Sequence, residues 1–420
     1  MPAASDLPIL SERERAQLWD RLLLDRLDAV VPRIMERAEI DCWVLVAREY
    51  NEDPVVTTMF PSTWINARRR TVLVFTDYGR TRAAIARYGV GDAFPAAWDP
   101  EIEPDQWDRL AAYLDEHSPQ RIGLSRSETF ALADGLTATE DAALVAALSP
   151  ELAGRLVPAE PLAIGWLETR TEAERELHGT ACAVAHSILR EALSPAVITP
   201  HSTTTADVEW WLRQQVADLN LGTWFHPTVS VQRDAPHDER DSFAVAPGDA
   251  VIERGDLIHI DFGIAYVGIH TDQQQHAYVL RPGENAAPVG IVAGLAAANQ
   301  AQDLVMQEFR TGRTGNEVLA AALARTAEAG LDATIYSHPI GLHGHAAGPT
   351  IGLWDQQGGV PGQGDYPVYT DTSYSIELSV VAPVAAWGSR PVRFMLEEDA
   401  FFDGTACSFL DGRQTNVWLI

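Results

Sequence analysis

The sequence contains no lysine: all 31 basic residues are arginine, against 59 aspartates and glutamates, so the formal net charge is −28. Nucleic acids and anionic lipid surfaces are bound through extended basic patches. A chain this acidic is a poor match for either, and we expect neither nucleic acid nor membrane among its partners.

Cysteine is also scarce, with Cys42, Cys182 and Cys407 far apart in the chain. Three distant cysteines form neither a disulfide framework nor a thiolate zinc site. The first residues lack the apolar segment of a signal peptide, and no window is long enough to span a bilayer. We therefore expect a protein of the reducing cytoplasm.

A length of 420 residues suits two domains. Ser11 and Glu14 have the spacing of a capping box, which predicts a helix to about Glu36. CWVLVA (42–47) and TVLVF (71–75) are typical of buried strands. This alternation predicts an α/β domain over residues 1–160, ended by the proline-punctuated segment around 156–166.

The remaining chain, residues 161–420, alternates helical patterns with β segments rich in Gly, His, Asp and Glu. Nine of the twelve histidines lie from His201 onward, so we expect the chemistry in this half. Its predicted helices cover 171–193, 204–219, 286–309 and 315–329.

The stretch HIDFGIAYVGIHTD (259–272) is predicted to be a β-hairpin carrying two acids. A turn at Tyr266–Val267 would place Asp261 directly opposite Asp272, with Cβ atoms about 4.5–5.5 Å apart. Two like charges there repel unless a shared proton or a cation lies between them. The alternative is a solvated hairpin with incidental acids, although aspartate is depleted in strands.

Three further segments place ionisable side chains in unusual surroundings: YSHPIGLHGHAAGP (336–349), YSIELSVVAPV (374–384) and RFMLEEDAFF (393–402). The first has three histidines within eight residues, a common metal or acid–base arrangement. The other two interrupt apolar strands with carboxylates, which are costly to bury unless paired or bound to metal. A histidine-rich surface loop and solvent-facing acids are the alternatives.

Together these segments supply two aspartates, at least one histidine and two glutamates. Such an oxygen-rich set suits a pair of hard or borderline divalent ions such as Mn, Co or Zn. A structural zinc site would instead be closed and rich in cysteine.

The four segments, in this order, resemble the pita-bread metallopeptidases: methionine aminopeptidase, aminopeptidase P, prolidase and creatinase. The likeness is greatest to the Xaa-Pro peptidases. It implies an α+β pita-bread catalytic domain over 161–420, behind a creatinase-like α/β N-terminal domain over 1–160. It also implies the metal ligands Asp261, Asp272, His338, Glu377 and Glu397.

The resemblance also implies catalytic roles for His345, Glu377 and a substrate-contacting histidine before the hairpin. His237, in RDAPHDE, is the best match for that histidine, and His226 is its competitor. The apolar spacing after the last ligand favours Glu397 over Glu398. We thus expect a homodimeric dinuclear-metal hydrolase that cleaves small peptides, as an Xaa-Pro aminopeptidase or dipeptidase. A hydroxide would lie between two ions, Mn first, with Co, Zn or Fe as alternatives.

The substrate-facing positions depart from the family pattern. QQQ follows Asp272 where relatives carry Thr and Arg, Ala346 follows His345 in place of an acid, and Met395 stands where proline-specific members have Arg. Two alternatives therefore stay open. One is an enzyme for a small non-peptide substrate, such as a creatinase-like amidinohydrolase or a lyase; the other is a non-catalytic binding module.

Overall fold

A computed structural model describes residues 9–234 and 249–420 of the chain. Contacts divide it into two compact units that meet in sequence between Ala173 and Glu174. The helix Glu160–Glu168, which follows the predicted boundary at 160/161, belongs to the first unit.

The first unit contains one mixed sheet with strand order β3-β2-β1-β4-β5. The strands β4 and β5 run parallel to β1, whereas β2 and β3 form an antiparallel edge. Its strands are β1 Cys42–Arg48, β2 Arg70–Thr76, β3 Thr81–Ile85, β4 Ile122–Leu124 and β5 Leu156–Pro158. Its helices are α1 Glu12–Ala38, α2 Pro54–Thr57, α3 Gln106–His117, α4 Ala138–Ala147, α5 Pro150–Ala153 and α6 Glu160–Glu168.

The capped first helix and the two buried strands predicted for this unit are confirmed. The Glu14 carboxylate accepts a hydrogen bond of 2.8 Å from the Ser11 backbone N–H, so the first turn of α1 is capped as expected. The helix runs two residues past its predicted end at Glu36. Both apolar segments form strands that are almost wholly buried.

The second unit combines long helices with several small antiparallel sheets. Its helices are α7 Glu172–Ala192, α8 Thr205–Asp218, α9 Val289–Met306 and α10 Gly315–Glu328. Its strands are β6 Thr228–Gln232, β7 Leu257–Phe262, β8 Ala265–Tyr266, β9 Ile269–His270, β10 Gln273–Tyr278, β11 Asp332–Ile335, β12 His338–Pro339, β13 Thr372–Ser375, β14 Leu378–Val384, β15 Arg390–Leu396, β16 Asp399–Phe402, β17 Cys407–Phe409 and β18 Trp418–Leu419. Every helix begins and ends within three residues of its predicted limits.

Three sheets carry the segments singled out from the sequence. Their orders are β18-β10-β7-β6, β11-β14-β15 and β12-β13-β16-β17. Helix α9 packs on β14 and β15, and it lies so close that a Cβ on Gly294 would fall 2.0 Å from the Phe394 ring. Over the described residues, no helix is both long enough and apolar enough to cross a bilayer.

The hairpin of the second unit has a different register from the predicted one. Asp261 pairs with Gln274, not with Asp272, and Tyr266 pairs with Ile269. The turn is therefore Val267–Gly268, with φ of 48° and 78°. Two positive φ values are typical of a type I′ turn, whose second position suits Gly268. The predicted opposition of the two aspartates was wrong because the turn lies one residue later, which shifts the register by two.

A shift of two residues preserves the face on which each side chain lies, since strand side chains alternate with a period of two. Asp272 precedes Gln274 by two positions and so remains on the Asp261 face. The two aspartates are diagonal neighbours across the hairpin, and their convergence survives the correction.

Candidate metal centre

Five side chains converge where the strands of the three sheets end. Gln274 N–H donates to the Glu397 carbonyl over 3.0 Å, which links the hairpin to the segment between β15 and β16. On the other side, His338 pairs with Ser375, two residues before Glu377. We call the resulting group the ligand cluster: Asp261, Asp272, His338, Glu377 and Glu397.

Glu397 lies at the centre of the ligand cluster. Asp261, Asp272 and Glu397 offer oxygens that all lie within 4.8 Å of one another, and His338, Glu377 and Glu397 form a second such triplet. His338 Nε2 is 3.3 Å from Glu397 Oε1 and 3.8 Å from Asp272 Oδ2. Two overlapping triplets that share one carboxylate are an arrangement able to hold two cations.

Several ligand atoms in the cluster lack protein partners. Asp261 Oδ1, Asp272 Oδ1 and His338 Nε2 are buried without a hydrogen bond from any described residue. Burial, followed by the nearby Glu397 charge, raises the pKa of Asp261, Asp272 and Glu377 well above their ordinary values. Unpaired buried acids are unfavourable, and divalent cations would remove both the repulsion and the unsatisfied oxygens. The donor set, oxygen-rich with one imidazole, fits such ions.

Gln274 holds two of the glutamates in place. Its Nε2 donates to Glu377 Oε1 over 2.5 Å and to Glu397 Oε2 over 2.7 Å. Its Oε1 accepts from His259 Nε2 over 2.9 Å, which fixes the amide with its N–H groups toward the acids. Burial and the neighbouring His276 lower the pKa of His259 to about 3, so this imidazole is neutral.

Glu397 and Glu398 lie in different surroundings. Glu397 Oε1 accepts from Ser375 Oγ over 2.6 Å within the ligand cluster. Glu398 Oε2 lies 2.6 Å from His186 Nε2, and its Oε1 accepts from Gln275 Nε2 over 3.4 Å. Of the two glutamates, Glu397 is the one whose carboxylate lies among the other candidate ligands.

His345 lies beside the ligand cluster on its solvent side. Its ring centroid is 4.7 Å from that of His338, at a nearly perpendicular angle, and 5.3 Å from the Trp224 ring. Loss of water around the ring and the nearby His338 lower the pKa of His345 to about 4. At neutral pH it is an uncharged imidazole, able to donate one hydrogen bond.

Two histidines compete for the substrate contact predicted before the hairpin. His237 lies outside the described residues. Its competitor His226 lies beside α8, with Nε2 3.5 Å from Glu209 Oε2 and its ring 5.3 Å from Trp210. Within the described part of the chain, none of the His226 contacts is with the ligand cluster.

Sequence reasoning missed the polar residues that support the ligands: Gln274, His259 and Ser375. A signal was present, because the run QQQHAY (273–278), which forms a wholly buried strand, begins with four consecutive polar side chains. A buried strand of that kind requires polar partners on the facing strand. The partners became visible only with the register of β7 and β10.

The sequence matches the model of metallopeptidase family M24 over residues 176–388. The fold is similar to that of X-Pro aminopeptidase from Thermotoga maritima, with a TM-score of 0.61 and 17% identity over 92% of this chain and 100% of that one. No curated protein gives a significant match.

Two further structures are similar along nearly their whole length. The Xaa-Pro dipeptidase from Bacillus anthracis has a TM-score of 0.61 and 17% identity over 98% of this chain and 100% of that one. The N-terminal domain of FACT complex subunit SPT16 from Cicer arietinum has a TM-score of 0.53 and 14% identity over 96% of both chains. At such identities the likeness concerns the fold, and it confirms the predicted pita-bread domain with an N-terminal domain before it.

Proposed function

Because this chain belongs to metallopeptidase family M24, a family of peptidase-type hydrolases, we propose that it is a dinuclear-metal Xaa-Pro peptidase acting on small peptides. The observation that carries the proposal is the pair of overlapping triplets at Glu397, in which Asp261 Oδ1 and Asp272 Oδ1 have no hydrogen-bond donor among the described residues. A peptide with proline after the scissile bond is the substrate class of the similar Xaa-Pro enzymes.

The ligand cluster would hold two divalent ions, for which Mn is the first choice and Co, Zn and Fe the alternatives. When bound, such ions lower the pKa of water toward neutrality and polarise a carbonyl oxygen. Glu397, which belongs to both triplets, is suited to lie between them.

The protein's own groups would move the protons. Glu377 is half-buried and held at one oxygen by Gln274, so its carboxylate can accept a proton from the attacking water. The same proton then passes to the nitrogen of the leaving amine as the peptide bond breaks. Neutral His345 would donate its N–H to the oxygen that becomes negative in the tetrahedral state.

The substrate would lie along the side of the cluster that carries His345. Trp224 Nε1 donates to the Thr271 carbonyl over 3.0 Å, which holds the indole next to both Asp272 and His345. An aromatic wall at this place suits the apolar ring of proline. His237 remains our choice for a further substrate contact, and we propose a homodimer in the cytoplasm on the strength of the resemblance.

The second candidate is a small non-peptide substrate, and the composition of the hairpin favours it. The buried run of Gln273 to Gln275 follows Asp272 where relatives carry Thr and Arg, and the backbone N–H of Met395 donates to His276 Nε2 over 3.1 Å. The surroundings of the ligands are thus specific to this chain. A binding module without catalysis is the least favoured interpretation, because all five candidate ligand residues are present.

The proposed function is tested by a release assay on protein stripped with a chelator and reloaded with Mn, Co or Zn. Substrates would be Xaa-Pro dipeptides, longer Xaa-Pro peptides, peptides with N-terminal Met, and creatine as the non-peptide arm. We expect release from Xaa-Pro substrates that disappears on chelation and returns at two metal equivalents. Full activity in stripped protein, or turnover of creatine alone, would overturn the proposal.

A further inference from the structure

The first unit contains a large cavity of about 1030 Å³ that is unusually basic for this acidic chain. Five arginines but only one acid line it: Arg48, Arg68, Arg69, Arg70, Arg87 and Glu49. Aromatic rings from Trp64, Tyr88 and Trp98 form part of the same wall. A concentration of positive charge in a chain of net charge −28 requires a local explanation.

Acids of the protein neutralise only part of this charge. Buried Glu140 is shared between two arginines, with Oε2 2.5 Å from Arg70 Nε and Oε1 3.3 Å from Arg48 Nε. Arg87 Nη1 lies 3.3 Å from Glu101 at the surface. Within the described residues, no ion pair involves the guanidinium groups of Arg68 or Arg69, so both are available to a ligand.

The basic wall is held in a defined shape. Buried Gln106 donates from Nε2 to the carbonyls of Ile85 and Arg70, over 2.7 and 3.1 Å. The Arg70 guanidinium lies over the Trp107 ring at 4.5 Å, and that of Arg68 over Trp64 at 4.8 Å. Planar guanidinium groups held against rings lose little freedom when they bind.

Arg69 itself has a costly backbone conformation. Its φ is 55°, in the left-handed region that favours glycine, immediately before β2. A non-glycine residue there costs about 1–3 kcal/mol, and such strain is found preferentially at functional positions. A large cationic side chain therefore stands at a position where the backbone conformation favours glycine.

We propose that this cavity binds a small organic anion, in which a carboxylate or phosphate group adjoins a planar apolar portion. Arginine forks bind the two oxygens of such groups in a bidentate manner, and the aromatic wall provides the apolar surface. The volume is close to the upper end of the range typical of small-molecule sites, about 300–1000 Å³. This inference does not depend on the proposed peptidase activity.

The test is titration calorimetry of the full chain with benzoate, phenyl phosphate and uncharged benzyl alcohol. The first two probes distinguish a carboxylate from a phosphate ligand. The variant Arg68→Gln/Arg69→Gln removes the two guanidinium groups without ion pairs. The matched control Arg13→Gln/Arg21→Gln removes the same charge from exposed positions of α1, outside the cavity.

We expect one of the anions to bind with one-site stoichiometry, about tenfold or more weaker in Arg68→Gln/Arg69→Gln and unchanged in the control. Raised salt should weaken anion binding to the parent protein, since exposed charges are screened. If the glutamine variant does not fold, Arg68→Lys/Arg69→Lys keeps the charge but loses the fork, and it should still bind more weakly. Binding of neither anion, equal binding of benzyl alcohol, or equal loss in the control would overturn the proposal.

Discussion

Two buried clusters of acids and histidine are built around Glu397, between β15 and β16, and Asp399, the first residue of β16. They accommodate buried carboxylates in opposite ways. Glu397 belongs to the ligand cluster. Asp399 belongs to what we call the anchor cluster, with His178, Cys182 and Gln273. Asp399 Oδ2 accepts from His178 Nε2 over 3.2 Å, from Cys182 Sγ over 3.4 Å and from Gln273 Nε2 over 3.3 Å.

The two clusters are both buried, and they differ in the groups that surround their carboxylates. The anchor cluster surrounds one carboxylate oxygen with donors, although Asp399 Oδ1 has no partner among the described residues. The ligand cluster places acids against acids, with donors to Glu377 and Glu397 but, among the described residues, none to Asp261 Oδ1 or Asp272 Oδ1. Buried acids that face one another require a cation or shared protons, whereas an acid that faces donors does not.

The two clusters also cooperate. Asp399 Oδ2 accepts a further hydrogen bond of 3.2 Å from the Asp272 backbone N–H. The anchor cluster therefore fixes the backbone that carries a proposed ligand, in the manner of outer-shell groups around metal sites.

The largest effect should come from Asp272→Asn. It removes a proposed metal ligand, so metal content should drop and hydrolysis should fall by a factor on the order of 10³ or more. It also removes one of the mutually repelling acids. The metal-free protein should become more stable, by about 1–2 kcal/mol, because asparagine is buried without the proton uptake that the raised pKa imposes on Asp272. Elemental analysis, peptide release and thermal melts with chelator measure the three quantities.

The control for that substitution is Asp332→Asn at an exposed position, which should leave all three quantities unchanged. Lower stability of metal-free Asp272→Asn than of the parent protein would contradict the view that the acids repel one another.

A second prediction compares neighbouring glutamines. Gln274→Ala removes the donor to Glu377 and Glu397, so metal affinity or kcat/KM should fall about 10–100-fold. Gln275→Ala removes the bond to Glu398 outside the ligand cluster, and it should change stability without changing metal affinity. Metal titration of both variants measures the two affinities. Equal losses of affinity would contradict the view that only Gln274 supports the ligand cluster.

A third prediction concerns the pH dependence of metal-free stability. Burial and Glu397 raise the pKa of Asp261, Asp272 and Glu377, so the folded state retains protons that the unfolded chain has released. The folded state then binds more protons, and unfolding free energy falls as pH rises above about 4, by up to about 1.4 kcal/mol per pH unit for each such proton.

Urea unfolding with chelator between pH 5 and 8 measures this slope, and Asp272→Asn should flatten it. Added metal should reverse the trend, because the ions bind the deprotonated ligands. Neutral His259 and His345 add a rise in stability up to about pH 6.5, so the test is the difference between the two proteins. An unchanged slope in Asp272→Asn would count against the raised pKa of Asp272.

The smallest effect is expected for Cys182→Ser in the anchor cluster. The serine hydroxyl keeps a donor toward Asp399, so stability should change by less than about 1 kcal/mol. Metal content and peptide release should stay at parental levels. A loss of bound metal on this substitution would instead show that the thiol is itself a ligand.

Features set by local chemistry could be predicted from sequence. The ends of α1 and α7 to α10 follow from capping residues and apolar periodicity, which act within a few turns. The convergence of Asp261 and Asp272 follows from strand alternation, which tolerated the register error. Glu377 and Glu397 were recognisable because charge inside an apolar strand is unusual.

Features that depend on partners far away in the chain could not be predicted from the sequence. Gln274 reaches Glu377 across 103 residues and His178 reaches Asp399 across 221, and neither pairing leaves a local pattern. The hairpin register depended on which residue adopts positive φ, and Gly268 decided it. The arginine cavity is assembled from separate strands and loops, so the net charge of the whole chain does not reveal its local positive charge.

The Val267–Gly268 turn also limits how this hairpin can change in length. An insertion or deletion of one residue at the turn would carry every side chain of β10 to the opposite face and point Asp272 and Gln274 away from Asp261. A change of two would restore the face and move each pairing along the strand. Length variation at this loop should therefore be tolerated only in even steps, and libraries built there should be designed with that parity.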